Sequence, residues 1–356
     1  MPRPSTIRRT VSAATLQSAA GQAALAQAAE ILRAGGTVAF PTETVYGLGA
    51  NALSAAAVAN IFAAKQRPAW DPLIVHVCDA AMLARVVKEI SPAAQKLMDA
   101  FWPGPLTLLL PKHASVPPEV TAGRPLVGVR LPAHPVARAL IQSAQLPIAA
   151  PSANRFGCVS PTTAAHVLDD LDGRIDMVLD GGPTEHGLES TVLELQDDGA
   201  IVYRAGAVAL ETLRTLLDHV ELHRPIVQST APESLPSPGV GMRHYAPRAR
   251  LVLVDVSADN DAQREEAWLA ALHNAQKATG RCGVLQPHGW LLPKDFSGAQ
   301  YDWGRWDHAE ELAQRLYAGL RALDAMGVTQ ILCPVPPAHG LGAAIRDRLQ
   351  KAARAK

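Results

Sequence analysis

The stretch TVAFPTETVYGLG, residues 37–49, joins a short apolar run to a polar turn. Thr37 to Phe40 predicts a buried strand that ends at Pro41, because proline cannot donate to a sheet ladder. Two threonines, a glutamate and a tyrosine follow at once. Ligands of open α/β sheets bind beyond the carboxyl ends of strands, so this turn is a candidate site. For the Thr-x-Thr pattern alone, a capped, hydrogen-bonded turn is the favoured alternative.

Strand and helix signals alternate outward from this stretch. Ser54 is expected to cap a helix that ends before Pro68, and further strands are expected near Leu73–Val77, Leu106–Leu110 and Val127–Leu131. Residues 223–247 carry five prolines and no sustained period, which is typical of a linker or a functional loop. The alternation then resumes, and it predicts a parallel sheet covered by helices.

Length and charge exclude several classes of protein. The 356 residues are enough for two domains, and 33 basic residues balance 33 acidic ones. A neutral chain lacks the bulk positive charge of a dedicated nucleic-acid binder. No apolar run reaches the ~18 residues of a membrane span, and the four cysteines are too scattered for a zinc site or a disulfide framework.

Cations occur where the chain is expected to turn. Lys65 and Arg67 end the first capped helix, a position where cations usually interact with the helix dipole. Together, however, the ammonium of Lys65, which is a point charge, and the planar guanidinium of Arg67 suit a polyphosphate. His76 lies inside an apolar strand and is more typical of a core histidine. Arg130 follows Val127 and Val129 on a predicted apolar strand, where it must escape to an edge or bind an anion.

Hydroxyls follow another predicted strand end. Ser152 and Asn154 come directly after the strand Pro147–Ala150, and Ser160 is expected to be a helix N-cap with Pro161 in the first turn. Helix N-termini bind phosphates through free N–H groups, and capping is compatible with that role. No P-loop, G-x-G-x-x-G, catalytic triad or H-E-x-x-H pattern occurs. The residues alone therefore indicate a nucleotide-binding α/β protein and leave enzyme and non-enzyme equally open.

In order along the chain, these segments resemble the threonylcarbamoyl-AMP synthases in their longer two-domain form. The resemblance covers about residues 20 to 250, and the motifs that carry it are Pro41–Leu48, Lys65–Pro68, Pro72–His76, Val129–Pro132, Pro151–Asn154, Ser160–Thr162, Glu189–Val192, Arg204–Gly206, Ser237–Gly239 and His244–Pro247. Beyond residue 250 the likeness is only in length and in strand–helix alternation.

The resemblance implies an α/β fold: an N-terminal twisted, mostly mixed sheet around a deep cleft, and a smaller C-terminal Rossmann-like parallel α/β domain. The expected boundaries are a catalytic domain over residues 1–221, a linker or lid over 222–248, and the C-terminal domain over 249–356. A third possibility gives that last domain only a regulatory or partner-docking role.

The resemblance also implies the reaction. The family makes L-threonylcarbamoyl-AMP and pyrophosphate from L-threonine, bicarbonate and ATP, as the first step of N6-threonylcarbamoylation of tRNA adenosine 37. It implies Mg2+ with ATP, no protein-held metal, no tightly bound organic cofactor and a cytoplasmic location. Candidate partners beyond the substrates are tRNA and downstream threonylcarbamoyl-transferase proteins, with no membrane.

Site residues carry over by matching motif. The expected L-threonine contacts are Thr44, His76, Arg130, Ala150 through its backbone, and Ser190. The expected ATP contacts are Lys65, Arg67, Asp71, Ser152, Asn154, Ser160, Arg204 and Tyr245. Asp71 stands where the family commonly has Asn, and a carboxylate repels phosphates unless a cation offsets it.

Two alternatives stay open at this stage. One is a non-catalytic module that binds double-stranded RNA or tRNA, against which the zero net charge weighs. The other is a carbamoyl-transfer enzyme of hydrogenase maturation, but such chains carry C-x-x-C zinc fingers, and this sequence has none.

Overall fold

The computed structural model describes residues 5–197, 199–223, 234–237, 245–257, 260–276 and 280–354. They form two compact units. Residues 5–156, 160–185 and 189–237 belong to the first unit. Residues 157–159, 186–188 and 245–354 belong to the second, so two short internal segments join the C-terminal part of the chain.

The first unit contains eight helices and eleven strands among its described residues. The helices are α1 (Ala19–Arg33), α2 (Ala55–Lys65), α3 (Ala80–Leu83), α4 (Pro92–Phe101), α5 (Pro118–Thr121), α6 (Pro135–Ala144), α7 (Ala164–Leu171) and α8 (Leu210–Arg214). The strands are β1 (Ile7–Thr10), β2 (Val38–Phe40), β3 (Gly47–Asn51), β4 (Ile74–His76), β5 (Leu106–Pro111), β6 (Leu126–Arg130), β7 (Ile148–Ala149), β8 (Met177–Asp180), β9 (Thr191–Gln196), β10 (Gly199–Arg204) and β11 (Val220–Leu222).

These strands form one mixed sheet in the order β1-β8-β2-β3-β7-β4-β6-β5-β9-β10-β11. Parallel pairs such as β4–β6 alternate with antiparallel ones such as β2–β3 and β5–β6. The strand–helix alternation had suggested parallel pairing, which is wrong for several of these neighbours. Short connections without a helix, such as residues 41–46, can join only antiparallel neighbours.

The second strand of the first hairpin was not predicted. Gly47–Asn51 pairs antiparallel with β2, so the opening stretch is a hairpin rather than a strand and a turn. Its two glycines have low strand propensity, so the sequence pattern does not indicate a strand here. Glycine is required at position 49, where a Cβ would lie 2.7 Å from Cε1 of Phe40 and 2.8 Å from Cγ2 of Ile148.

The helix cap predicted from the sequence is confirmed for one helix and wrong for another. Ser54 accepts a hydrogen bond from the backbone N–H of Ala57 and caps α2, as predicted. The N-cap of α7 is Thr163, not Ser160. Residues before Thr163 stay extended because two backbone hydrogen bonds hold them. The backbone N–H of Tyr46 donates to the carbonyl of Pro161, and that of Thr184 donates to the carbonyl of Thr162.

The second unit contains four strands and three helices among its described residues. They are β12 (Arg250–Val254), α9 (Asp261–Gln276), β13 (Cys282–Pro287), β14 (Ala299–Gly304), α10 (Ala309–Ala325), β15 (Gln330–Pro334) and α11 (Leu341–Ala353). The strand order is β12-β15-β13-β14, and every pair is parallel. The predicted fold class, a large mixed sheet followed by a smaller parallel α/β unit, is confirmed.

Part of the predicted linker packs as an ordered segment. Leu235 and Ser237 are buried, and the backbone N–H of Leu235 donates to the carbonyl of Trp70 at 2.9 Å within the first unit. Gly239 and His244 lie outside the described residues. In the described parts of the chain, no helix is long and apolar enough to cross a membrane.

Candidate active site

The polar turn after β2 is held by Thr42. Its Oγ1 donates to the carbonyl of Val45 at 2.7 Å and accepts from the backbone N–H of Thr44. The Thr44 hydroxyl lies 2.8 Å from Thr42 Oγ1. Because the Thr42 proton already goes to Val45, the Thr44 hydroxyl is the donor of that pair. The expected capped turn is therefore present, and it leaves the lone pairs of Thr44 to face Arg130.

Arg130 ends β6 and is buried against the turn. Its Nη1 donates to Oγ1 of Thr44 at 2.9 Å, and its Nη2 lies 2.6 Å from Oε1 of Glu43. Burial raises the pKa of Glu43, but the charge and hydrogen bond of Arg130 outweigh it and lower that pKa to about 2. Glu43 therefore stays ionised at neutral pH. The sequence predicted that Arg130 either escapes to a sheet edge or binds an anion. In the structure it pairs with an anion of the same chain, the carboxylate of Glu43.

His76 ends β4 directly beside Arg130. The two residues are partners in the parallel register of β4 and β6. Burial, followed by the positive charge of Arg130, lowers the pKa of His76 to about 3. The imidazole is therefore neutral at physiological pH. A neutral ring offers one acceptor and one donor, which suits recognition of a hydroxyl or an amine.

Lys65 is a buried cation that clamps the loop after β7. Its Nζ donates to the carbonyls of Ser152 and Asn154, each at 2.5 Å, and its side chain is 1% exposed. Lys65 does lie in the last turn of α2, where cations usually interact with the helix dipole. The structure adds that its ammonium is buried and holds the loop after β7.

A second buried cation, Arg67, holds the segment before β4. Its Nη2 donates to the carbonyl of Pro72 at 2.7 Å and lies 2.9 Å from Oδ1 of Asp71. Burial raises the pKa of Asp71 above its ordinary value, and the charges of Arg67, Lys65 and Arg204 oppose that rise only in part. Three cations thus act on one carboxyl group. When it is ionised, they offset the negative charge that made Asp71 an unusual neighbour for phosphates.

Arg204 and Ser190 meet at the ends of β10 and β9. Arg204 donates through Nη2 to Oγ of Ser190 at 3.0 Å, and Ser190 also pairs with the Thr107 hydroxyl at 2.8 Å. Ser160, which does not cap a helix, donates to Oε1 of buried Glu189 at 2.7 Å. The bond from Arg204 to Ser190 joins a residue of the predicted ATP set to one of the predicted threonine set.

Backbone pairing places Ala150 and the Ser152 loop beside these groups. The backbone N–H of Ala150 donates to the carbonyl of Ile74, two residues before His76, and Ser152 pairs with Gly47 across an isolated bridge. Gly47 permits this approach because a Cβ there would lie 3.3 Å from the Cβ of Ala150. The first unit therefore holds every predicted site residue except Tyr245. Lys65 ends helix α2, and the others lie at strand ends or in loops.

Tyr245 lies in the second unit. Its buried ring stacks on Tyr317 with centroids 5.7 Å apart, and the guanidinium of Arg348 lies 5.1 Å from its centroid. Contact of Tyr245 with ATP remains a prediction.

Two residues absent from the predicted set contact members of it. Glu43 and Glu189 are buried carboxylates that orient Arg130 and Ser160. Both stood within the quoted motifs, but a sequence does not show which carboxylate meets which cation. The described residues contain no group of three or more His, Cys, Asp or Glu that could hold a metal ion.

Buried cations, oriented hydroxyls and a neutral imidazole at strand ends define a class, namely an α/β protein that binds anionic nucleotides and small polar substrates. Two family models match the chain. One, described as "Telomere recombination", covers residues 30–206, and the other, "Threonylcarbamoyl-AMP synthase, C-terminal domain", covers residues 208–354.

Curated relatives and a solved structure agree with these models. The chain is 42% identical to the threonylcarbamoyl-AMP synthase of Pyrococcus abyssi, over 91% of this chain and 92% of the relative. It is 42% identical to that of Bacillus subtilis, over 92% of each. A crystal structure of P. abyssi Sua5 complexed with L-threonine matches with a TM-score of 0.87 at 38% identity, covering 98% of each chain.

The chain belongs to the threonylcarbamoyl-AMP synthase family. It is an enzyme of the nucleotidyl-transferase type, which confirms the predicted family and activity class.

Proposed function

We propose that this chain makes L-threonylcarbamoyl-AMP and pyrophosphate from L-threonine, bicarbonate and ATP in its first unit. The observation that carries the proposal is the buried network in which Glu43, Arg130 and Thr44 meet beside neutral His76. An apolar core does not need such a network, since burying charge is costly. The crystal structure of P. abyssi Sua5 complexed with L-threonine supports an amino acid as the ligand.

Threonine would bind at the ends of β4 and β6. In this proposal Arg130 supplies positive charge for the threonine carboxylate, and Thr44, already oriented by Thr42, supplies a hydroxyl. His76 and Ser190 would contact the polar groups of the substrate, and Ala150 would contribute its backbone. Selectivity over serine would rest on room for one methyl group, which is worth only ~1–3 kcal/mol.

ATP would bind at the Ser152 loop and the cations around Asp71. The proposed contacts are Lys65, Arg67, Asp71, Ser152, Asn154, Ser160, Arg204 and Tyr245. Because Lys65 already holds the carbonyls of Ser152 and Asn154, the loop and its cation are preorganised together. Preorganised charge costs no rearrangement when negative charge develops in the transition state.

The chemistry follows from these positions. The threonine amine, after losing a proton, combines with CO2 derived from bicarbonate to give a carbamate. A carbamate oxygen attacks the α-phosphorus of ATP, the bond to the bridging oxygen of the β-phosphate breaks, and pyrophosphate leaves with that electron pair. Lys65, Arg67 and Arg204 would stabilise the charge that develops on the phosphoryl and leaving oxygens.

Mg2+ enters the proposal with the triphosphate, whose charge it neutralises. The carboxylates of the site do not form a ligand set for it, because Glu43, Asp71 and Glu189 are bonded to Arg130, Arg67 and Ser160. Phosphate oxygens and water would therefore hold the ion.

The product would be used by enzymes that transfer the threonylcarbamoyl group to tRNA. Direct binding of tRNA or of such enzymes, and a cytoplasmic location, stay predictions.

The test is pyrophosphate release by the purified chain with ATP, Mg2+ and bicarbonate, with and without L-threonine. We expect release only when threonine and bicarbonate are both present, and much less with serine. Release that is independent of the amino acid, or no release from folded protein, would overturn the proposed reaction.

A further inference from the structure

One face of helix α10 in the second unit contacts three separate segments of the chain. The segments are residues 157–159, residues 186–188 and Tyr245, and all three belong to the second unit together with the helix itself. We call this side of the helix the α10 face. Its residues recur at the spacing of three to four that places side chains on one side of a helix, namely Ala313, Gln314, Tyr317 and Arg321.

The first segment leads directly into Ser160, a predicted ATP contact. Nη2 of Arg321 donates to the carbonyl of Val159 at 2.5 Å, and Val159 is buried. A guanidinium is always charged, so this hydrogen bond is stronger than one between neutral groups. The carbonyl of Val159 and the nitrogen of Ser160 share one planar peptide unit. The bond from Arg321 therefore fixes the direction in which the chain enters Ser160.

The second segment leads into Glu189, the buried carboxylate that accepts from Ser160. Gly187 lies so close to α10 that a Cβ on it would be 2.5 Å from Cα of Gln314 and 2.6 Å from the carbonyl oxygen of Ala313. Its φ of +69° also favours glycine. Only glycine permits this approach, which fixes the backbone two residues before Glu189.

The third segment is Tyr245, another predicted ATP contact. Its ring stacks on Tyr317 of the α10 face with an angle of 19° between the ring planes. The φ of Tyr245 is +65°, an uncommon value for a residue with a side chain, and such backbone persists only where its surroundings hold it. The backbone N–H of Ala246 donates to the carbonyl of Gly157 at 2.9 Å, so the third segment is also joined to the first.

The three segments therefore connect one helix face with residues of the proposed ATP site. Ser160 donates to Glu189 at 2.7 Å, so the two residues that follow the first and second segments are bonded to each other. We propose that the α10 face positions the ATP-binding residues, and that Arg321 is the positioning residue for Ser160. This inference rests on the proposed function, which makes Ser160 and Tyr245 ATP contacts. It gives the second unit a part in the reaction itself, beyond a regulatory or partner-docking role.

The chain offers a matched control on the same helix. Nη2 of Arg315 donates to the carbonyl of Asp302, also at 2.5 Å. Asp302 lies in β14 and is not adjacent in sequence to any proposed site residue. If the bond from Arg321 only stabilised the second unit, Arg321→Ala and Arg315→Ala would affect ATP binding equally.

The test measures the affinity of the full chain for ATP by isothermal titration calorimetry, together with the KM values in pyrophosphate release. We expect Arg321→Ala to weaken ATP binding about tenfold, because Ser160 is no longer held in place. The KM for ATP should rise by the same factor, while the KM for L-threonine stays unchanged. Arg321→Lys keeps a charged donor and should recover part of the affinity, and Arg315→Ala should leave the affinity unchanged.

A double-mutant cycle separates positioning of Ser160 from a general effect on the second unit. Ser160→Ala removes the hydroxyl and should itself weaken ATP binding. In that background Arg321→Ala should cause little further loss, because the group that it positions is gone. Urea denaturation checks that each variant is folded. Arg321→Gln, which keeps a neutral donor, carries the same test if Arg321→Ala does not fold.

The outcomes distinguish this inference from the proposed function. If Ser160→Ala weakens ATP binding but Arg321→Ala does not, the positioning role is wrong and the ATP site stands. If the losses in the two variants are fully additive, Arg321 does not act through Ser160, which also overturns the inference. If Ser160→Ala leaves the affinity for ATP unchanged, Ser160 is not an ATP contact, and the inference fails together with that part of the proposed function.

Discussion

The first unit buries charge where the second buries aromatic rings. In the first, Glu43, Lys65, Arg67 and Arg130 are each at most 9% exposed. In the described part of the second, Arg348 is the only buried charged side chain, while Trp268 and Trp303 are fully buried.

Both units use the α/β plan, so folding itself does not require the buried ions. Buried ion pairs contribute little net stability, because desolvation offsets their attraction. The ions of the first unit are held by partners within the chain, since Glu43 pairs with Arg130 and Asp71 with Arg67. The second unit instead places Trp268 in its hydrophobic core, with Trp290 and Trp306 packed against that core.

The largest expected effect comes from breaking the buried ion pair. Glu43→Gln leaves Arg130 without a countercharge, and we expect the free energy of unfolding to fall by about 3 kcal/mol. Urea denaturation at neutral pH measures it. The control is Arg8→Gln, which breaks the exposed Arg8–Asp180 pair and should cost less than about 1 kcal/mol. Equal losses in both variants would contradict the distinction between buried and exposed charge.

Removal of the Lys65 ammonium should act on turnover more than on folding. Lys65→Met keeps most of the side-chain volume, and we expect kcat to fall about 100-fold because phosphoryl charge is no longer stabilised. Lys88→Met, on the exposed surface, is the matched control. Far-ultraviolet circular dichroism checks that the variant is folded. Near-normal turnover in a folded Lys65→Met enzyme would remove Lys65 from the ATP site.

The buried imidazole should make the chain sensitive to acid. The pKa of His76 is lowered from 6.5 to about 3, so between these values the unfolded chain binds the extra proton. Stability should therefore decrease as pH falls from about 6.5, with a contribution of up to about 1.4 kcal/mol per pH unit. His76→Gln should flatten this dependence in urea denaturation, whereas exposed His113→Gln should not. A slope unchanged by His76→Gln would assign the acid sensitivity to other groups.

The smallest expected difference compares two tryptophans of the second unit. Trp303→Phe loses the hydrogen bond to Leu312, whereas Trp268→Phe loses no bond that the structure contains. We expect Trp303→Phe to be less stable than Trp268→Phe by about 1 kcal/mol. Thermal and urea denaturation measure the difference. If the order were reversed, the Trp268 N–H would have an acceptor in the folded protein.

Much of the fold was readable from local pattern. The helix predicted to be capped by Ser54 and to end before Pro68 agrees with the structure, since Ser54 caps α2 and the helix ends at Lys65. The strand Gly47–Asn51 and the N-terminal strand Ile7–Thr10 were missed. Glycines obscure the first, and the second is arginine-rich and takes its conformation from pairing with β8. Ser160 was wrongly expected to cap a helix because contacts with Tyr46 and Thr184, distant in sequence, hold that segment extended.

By itself the sequence determined the family, the candidate site residues and the alternation of strands and helices. These properties are carried by short motifs and by periodicity, which depend only on neighbours along the chain. The tertiary structure alone decided that Glu43 neutralises Arg130, that three cations act on Asp71, and that Trp268 buries a donor without an acceptor. The reason is physical: the pKa of a group and the pairing of its polar atoms depend on burial and on partners distant in sequence, which only folding brings together.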